Sequence, residues 1–473
     1  MPEYKATIGL EIHAELKTHT KMFCSSPNNP DEERPNVNIC PVCMAHPGTL
    51  PVINKEAVKH VLMVGRAVGG DIADFTEFDR KNYFYPDIPK GYQISQYAYP
   101  LVSGGELAGV KLTRIHLEED TARSSHDHGG FSLVDFNRAG VPLMELVTEP
   151  VVKDAAQAVR FAKELQLLLR YLGASDANME KGEMRVEANV SVSGTRAFGT
   201  KVEVKNLNSF KVVERAIAYE IKRQIGVLEE GGEVVQETRG WDDAKRKTFS
   251  QRAKESSHDY RYFPDPDLPK LKIGEIPEFA REVLDEEMPE LPWEKRKRYG
   301  EVYGIKEEDI ESYVADCGIS LFFEDVASHI GGNLEKIRLA SNYITSDLTG
   351  LMKSAVAGSV PEPEFFAKLI GMVHEGEVSS RGAKDILEIM YRSGGDPSHI
   401  ARERGLLQKS DEEELARVVK SVLSEHSHVA EDFKKGKESA LQFLVGQGMK
   451  ATRGSANPQV LQKLFRSELE SDV

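Results

Sequence analysis

Three consecutive carboxylates, Glu118, Glu119 and Asp120, close a segment that alternates like a strand. Upstream, Val110 and Leu112 point one way, and Arg114 follows them less cleanly. Like charges held this close raise one another's pKa unless a cation sits among them. Alternation sends His116, Glu118 and Asp120 to one face and Glu119 to the other. Alone, such a triplet reads as a solvated strand end. The reading changes because other short strands carry the same kind of polar face.

Ala6 to Leu16 places Ile8, Leu10, Ile12 and Ala14 on one side and Gly9, Glu11, His13 and Glu15 on the other. A carboxylate and an imidazole side by side can serve a divalent metal. An amphipathic edge strand is the plainer alternative. Met184 to Ser191 aligns Arg185, Glu187, Asn189 and Ser191, and Gly199 to Asn206 aligns Lys201, Glu203 and Lys205. A sheet face lined with Glu, His, Arg and Lys does not read as a core. It suits a metal ion and phosphates.

At 473 residues the chain is too long for one ordinary core, which predicts two or three domains. Nowhere does an apolar run approach the roughly eighteen residues of a membrane helix. Met1 to Lys5 resembles neither a signal peptide nor a transit peptide. Four cysteines in this length argue for a reducing compartment rather than a disulfide framework, so the expected location is the cytoplasm, with no membrane partner. The formal charge of -15 disfavours bulk nucleic-acid binding, so any RNA contact needs a local basic patch.

After the first strand comes Cys24, then Cys40-Pro41-Val42-Cys43. This is a zinc knuckle with an incomplete second pair, and His46 or His19 could supply a fourth ligand; a metal-free structural loop is the other reading. Cys317, remote in sequence, reads as a core residue. Lys55 to Gly69 predicts a helix. Phe78 to Tyr92 is too rich in Tyr, Lys and Pro for a core strand and reads as a binding loop with rings to stack a base and lysines to meet phosphates, or else as a proline-rich surface loop with aromatics pinned beneath it. Ser132 to Pro150 reads as strand, turn, strand. Helices follow from Asp154 to about Leu172 and from Val212 to Val227. The segments Arg252-Ala253-Lys254-Glu255 and Asp259 to Asp267 repeat the basic, aromatic and acidic mixture of the earlier loop.

A Pro-rich stretch at Met288 to Pro292 closes this first region, and the texture is helical from Trp293 onward. The expected domains are 1–292, 293–404 and 405–473. From Lys434 to Arg466 seven bases (Lys434, Lys435, Lys437, Lys450, Arg453, Lys463 and Arg466) face one acid, Glu438. That local reversal of sign reads as an RNA-backbone patch, against a solubilising helix face. Walker-type, dinucleotide-binding and nucleophile-elbow glycine motifs are absent from the sequence.

The segments Ile8 to Leu16, Phe78 to Tyr85, His116 to Asp120, Asn137 to Leu143, Lys205 to Phe210, Asp259 to Asp267 and Phe443 to Gly454 together resemble the B subunits of aspartyl/glutamyl-tRNA(Asn/Gln) amidotransferases. The resemblance runs through the chain in order. It implies an α+β fold: a cradle-like N-terminal α/β domain with a mainly antiparallel sheet, an all-helical domain, and a small helical tail that binds tRNA. It implies a heterotrimer, completed by an amidase-type glutaminase (the A subunit) and a small stabilising C subunit. Misacylated tRNA(Gln) or tRNA(Asn) is the implied substrate, with ATP and Mg²⁺ as cofactors.

By the same resemblance, Mg²⁺ falls to Glu11, His13, Glu118 or Glu119, Glu187 and Glu203. Lys81, Arg185 and Lys205 would meet phosphate charge, and Tyr83 and Tyr85 would shape the pocket. Zinc would fall to Cys24, Cys40 and Cys43. Ser26 departs from the pattern, because zinc-bearing members have a cysteine there. Two rivals stand beside this reading: a non-catalytic tRNA-binding scaffold, and a free-standing metal-dependent hydrolase.

Overall fold

The strand β1 (Lys5–Glu15) alternates as its sequence predicts: Ile8, Leu10, Ile12 and Ala14 are buried, while Glu11 and His13 are only partly covered. Each large aliphatic side chain removed from water contributes about 1.5–3 kcal/mol, and that burial fixes which face of the strand turns inward. The computed structural model describes residues 3–471 except 30, 127–128, 254–259, 355–356, 409–411, 435–436 and 453–455. Lys254, Glu255, Asp259, Lys435 and Arg453, and the side chains of Arg252, Ala253 and Lys434, lie outside the described residues.

The chain divides into two units, Met1–Pro292 and Trp293–Val473. In the first, β1 is central to a 10-stranded sheet. The other strands used below are β2 (Asp79–Asn82), β3 (Tyr92–Ser95), β4 (Val110–Glu119), β5 (Pro142–Thr148), β6 (Met184–Ser193), β7 (Val202–Leu207), β8 (Glu237–Asp242) and β9 (Lys247–Ala253). The order across the sheet is β9-β8-β7-β6-β1-β5-β4, continued by two short strands, Val102–Ser103 and Asp71–Ile72. Neighbours are antiparallel except β7 and β8, which run parallel. A parallel pair needs a long crossover, and the helix between these two strands supplies it.

Three helices cover the apolar face. α1 (Lys55–Ala67) packs on β4, α3 (Phe210–Glu229) on β6 and β7, and α2 (Ala155–Tyr171) on α3. Side-chain caps start all three: Asn54 accepts from Ala57 N, Asp154 from Gln157 N and Ser209 from Val212 N. A small second sheet lies beside the polar face, made of β2, β3 and the strand Phe263–Pro264, with β3 against β4.

This small sheet corrects one expectation. The Tyr-, Lys- and Pro-rich stretch from Phe78 is not a loop throughout, because β2 and β3 form a hairpin within it. Its second aromatic relative in the sequence is its structural partner: Phe263 pairs with Arg80, and Arg80 Nε donates to Asp265 at 2.8 Å.

The second unit is helical. Tyr299, Tyr313 and Phe323 form an aromatic knot, with Tyr313 and Phe323 stacked at 4.5 Å. Leu415, Val419, Leu441, Leu444, Leu461 and Phe465 build a separate apolar core toward the C-terminus. Cys317 is exposed, not a core residue. It occupies the first position of the helix Cys317–Ile330, whose buried face begins at Ile319 and continues through Phe322, Phe323 and Val326. No helix among the described residues is long and apolar enough to cross a membrane.

Candidate active site

Residues directly opposite one another in antiparallel strands share a face. Across β4, β5, β1 and β6 the register reads His116, Glu145, His13, Arg185. Two residues along, Glu11 of β1 sits opposite Glu187 of β6. The register of β6 against β7 shifts between Val186 and Ala188, where β7 carries one extra residue, and Lys205 from that part of β7 reaches Glu187.

His13 Nε2 lies 3.4 Å from Glu145 Oε2, 3.5 Å from Glu118 Oε1 and 3.9 Å from Glu11 Oε1. His116 Nε2 is 3.4 Å from the same Glu145 oxygen. Three groups of potential ligand atoms, each within 4.8 Å of one another, arise from these residues: Glu11, His13 and Glu145; His116, Glu118 and Glu145; Glu11, Glu187 and Glu203. Glu145 belongs to the first two and Glu11 to the first and third, so the groups run together as one band.

Cationic side chains border this band. Lys205 Nζ is 2.8 Å from Glu187 and 3.9 Å from Glu203. Arg114 lies 3.6 Å from Glu145. Lys81 Nζ sits over the ring of Tyr260 at 4.9 Å, with Tyr83 at 5.9 Å. A cleft of about 240 Å³ opens over the band, with Tyr97, Tyr260 and Tyr262 among its walls. A larger hollow, about 300 Å³, lies beside Cys24 and Cys43 and takes in only Glu119 of the acidic residues expected to bind metal. Glu11, His116, Glu145, Glu203, Lys81 and Lys205 line the smaller cleft instead.

Crowded, sheltered charge moves the titrations. Burial and then the Glu145 carboxylate push Glu11 up to about 7. Burial opposes charge on His13, but its hydrogen bond to Glu145 and the nearby carboxylates raise it to about 9. Burial also works against ionised Glu145, yet His116 and His13 hold it well below the usual carboxylate range. Lys81 and Lys205 are raised against burial, the first by Glu118 and the second by Glu187 and Glu203. His116 Nδ1 is buried and has no hydrogen-bond partner among the described residues. Hard carboxylate oxygens with one or two imidazoles are a donor set that a divalent cation of the magnesium or manganese type fits.

Glu11, His13, Glu118, Glu187, Glu203, Lys81 and Lys205 are therefore brought together. Glu119 is not: on the opposite side of β4 it accepts from Lys90 Nζ at 2.6 Å and from Ile94 N at 2.9 Å. Glu118 instead accepts from Ser95 Oγ at 3.3 Å on the His13 side. Arg185 turns from the acidic band to Asp120, at 2.9 Å. Tyr83 stands edge-on to Tyr260, whereas Tyr85 is largely exposed. Lys201 precedes β7 and is exposed.

Glu145, which links the two histidines, is a site residue that the sequence alone did not single out. A lone carboxylate inside the apolar run Leu143-Met144-Glu145-Leu146-Val147 was the available signal. Thr238 and Ser95, which bond Glu203 and Glu118, had no such signal.

The thiols of Cys24, Cys40 and Cys43 converge within 4.8 Å of one another, and neither His19 nor His46 belongs to that group. Ser26 Oγ is 3.8 Å from Cys43 Sγ. Lys21, fully buried, places Nζ 4.0 Å from the same sulfur. A hydrogen bond with Cys24 and the Lys21 charge draw Cys43 toward the thiolate, down to about 4. Three converging sulfurs are a donor set that fits a thiophilic cation.

A family model described as the GatB/GatE catalytic domain matches residues 6–276, and one described as the GatB domain matches 321–469. Among curated proteins the chain is 42% identical to the B subunit of the aspartyl/glutamyl-tRNA(Asn/Gln) amidotransferase of Persephonella marina, over 99% of this chain and 100% of that one. It is 45% identical to the protein of the same name from Caldanaerobacter subterraneus subsp. tengcongensis and 44% identical to that from Thermoanaerobacter pseudethanolicus, in each case over 99% of both chains.

Proposed function

The chain belongs to the family of aspartyl/glutamyl-tRNA(Asn/Gln) amidotransferase B subunits, and from that premise we propose that its acidic cleft activates and amidates the aminoacyl end of Glu-tRNA(Gln), Asp-tRNA(Asn) or both. A carboxylate is a poor acyl donor because its leaving group would be oxide. Transfer of the terminal phosphoryl group of ATP to a carboxylate oxygen releases ADP and gives an acyl phosphate. Ammonia then attacks the carbonyl carbon, inorganic phosphate leaves, and the amide remains. The ammonia comes from glutamine hydrolysed in a glutaminase partner, and a small third protein completes the assembly.

The observation that carries this reading is the band of Glu118, Glu145, Glu11, Glu187 and Glu203 with His116 and His13, drawn from five strands onto one face. So many carboxylates in one sheltered place favour a bound cation over mutual repulsion. A divalent cation held there would offset negative charge on the phosphates during transfer. Lys81 and Lys205, both held protonated, supply further positive charge at the cleft. Tyr97, Tyr260 and Tyr262 offer ring faces to a base or ribose and narrow the access of water. The tail, with Lys450, Lys463 and Arg466, meets the RNA backbone. Cys24, Cys40 and Cys43 would hold a structural zinc ion away from the chemistry.

The test is to purify the chain with its partner subunits and assay ATP- and glutamine-dependent amidation of Glu-tRNA(Gln) and Asp-tRNA(Asn) separately. Amide on at least one, dependent on ATP, is expected. Amide on neither, from a complex whose glutaminase is active, overturns the reading.

A further inference from the structure

Thr238 of β8 lies opposite Glu203 of β7 across the parallel pair. Its Oγ1 donates to Glu203 Oε2 at 2.8 Å, and both residues are buried. Glu203 is one of the three carboxylates, with Glu11 and Glu187, whose oxygens converge at that end of the band. Thr238 also lines the cleft. A carboxylate can turn about its terminal bond, a broad torsion, so a fixed donor on one oxygen decides how the group is presented.

The strand that brings Thr238 here is anchored from its other face. Arg239 points the opposite way. Its Nε donates to Thr248 Oγ1 at 2.9 Å and lies 3.6 Å from Glu220, and Thr248 Oγ1 in turn donates to Glu220 at 3.0 Å. Glu220 is fully buried on α3 and also accepts from Arg223 and Gln224. Since α3 is the crossover between β7 and β8, one helix ties the strand carrying Glu203 to the strand carrying Thr238. A buried, multiply bonded carboxylate at that joint resists sliding of the strands, because breaking it leaves uncompensated charge.

We propose that Thr238 is a positioning residue for the cation site: its hydroxyl fixes the orientation of the Glu203 carboxylate toward Glu11 and Glu187. This rests on the reading above that these three carboxylates hold a divalent cation. Thr238 itself touches neither cation nor substrate in this account. Hydrogen bonds that orient metal-ligating carboxylates are typically worth 10- to 100-fold in affinity, and a single neutral hydroxyl belongs near the lower figure, about 10-fold.

The test titrates Mn²⁺, which accepts the same oxygen and imidazole donors, into the full chain. Free Mn²⁺ is followed by electron paramagnetic resonance, and a thermal melt monitors the fold. Thr238→Val keeps the shape and removes the hydroxyl, Thr238→Ser restores it, and Glu203→Gln removes the carboxylate charge. Thr238→Ala repeats the loss should the valine variant melt early. The expected result is affinity about 10-fold weaker in Thr238→Val and Thr238→Ala, near wild type in Thr238→Ser, and weakest in Glu203→Gln. If Glu203→Gln weakens binding while the valine and alanine variants bind as wild type, the positioning role is overturned and the cation reading stands. If Glu203→Gln also binds as wild type, Glu203 is no ligand, and both fall.

Discussion

His13 and Glu145 face each other in register across β1 and β5, with Nε2 3.4 Å from Oε2. The same carboxylate oxygen is shared with His116 from the strand beyond. One glutamate therefore couples two imidazoles from different strands. Glu145→Gln removes that charge while keeping the side-chain size. The expected outcome is at least ~100-fold slower ATP-dependent amidation by the assembled complex, the cost typical of losing a charge-stabilising group. Steady-state kinetics at saturating glutamine check it. A rate within about threefold of wild type would place the cation without Glu145.

Arg80 and Asp265 join the two aromatic segments that wall the cleft, at 2.8 Å, with the Asp265 side chain fully buried. Asp265 also accepts from the backbone of Asp267 and Leu268. Asp265→Ala removes the buried half of this pairing and leaves Arg80 its contact with Asp267 at 2.8 Å, and it should destabilise the first unit by about 2 kcal/mol, the worth of a charge-assisted hydrogen bond. Urea unfolding followed by tryptophan fluorescence reads this; a loss below about 0.5 kcal/mol contradicts it.

Sequence alternation located much of this site but not its centre. In β1 the strict period of two made Glu11 and His13 legible, since Ile8, Leu10, Ile12 and Ala14 leave only one face for them. Glu145 was hidden because its neighbours Leu143, Met144, Leu146 and Val147 read as a strand buried on both sides. Glu118 and Glu119 differ only in the side of β4 they occupy, and alternation favoured Glu118, the one beside His13. The pairing of Arg80 with Phe263 spans a sequence distance over which no local pattern reports. Cys317 misled because cysteine is usually buried, whereas its place at a helix start decided otherwise. Thr238 looks like any strand threonine until β7 and β8 are seen to run parallel.

The cysteine cluster lacks a fourth sulfur where Ser26 lies 3.8 Å from Cys43. Ser26→Cys should complete a four-thiolate site and raise zinc affinity at least 10-fold over wild type, about 1.4 kcal/mol by the conversion of affinity to free energy. Competition with a chromogenic chelator measures this, and equal affinity in the two proteins would mean that the geometry cannot close around the ion.

In the C-terminal helices Lys450 and Lys463 are exposed. If these helices meet the tRNA backbone, reversing both to Glu should weaken tRNA binding and lower the slope of log affinity against log salt by about one unit per lost contact. Filter binding at several salt concentrations tests it. An unchanged slope would make these charges a solvated helix face.

Phosphoryl transfer on the band built on Glu11 and His13 requires that both side chains matter for ATP cleavage. The most direct measurement is tRNA-dependent ATP cleavage by the assembled complex, comparing wild type with Glu11→Gln and His13→Ala. A fall of ~100-fold or more is expected in both variants, with tRNA affinity within about twofold of wild type if the backbone is held by the C-terminal helices. Cleavage and amidation at the wild-type rate in both variants would contradict it and leave the cleft as a binding platform.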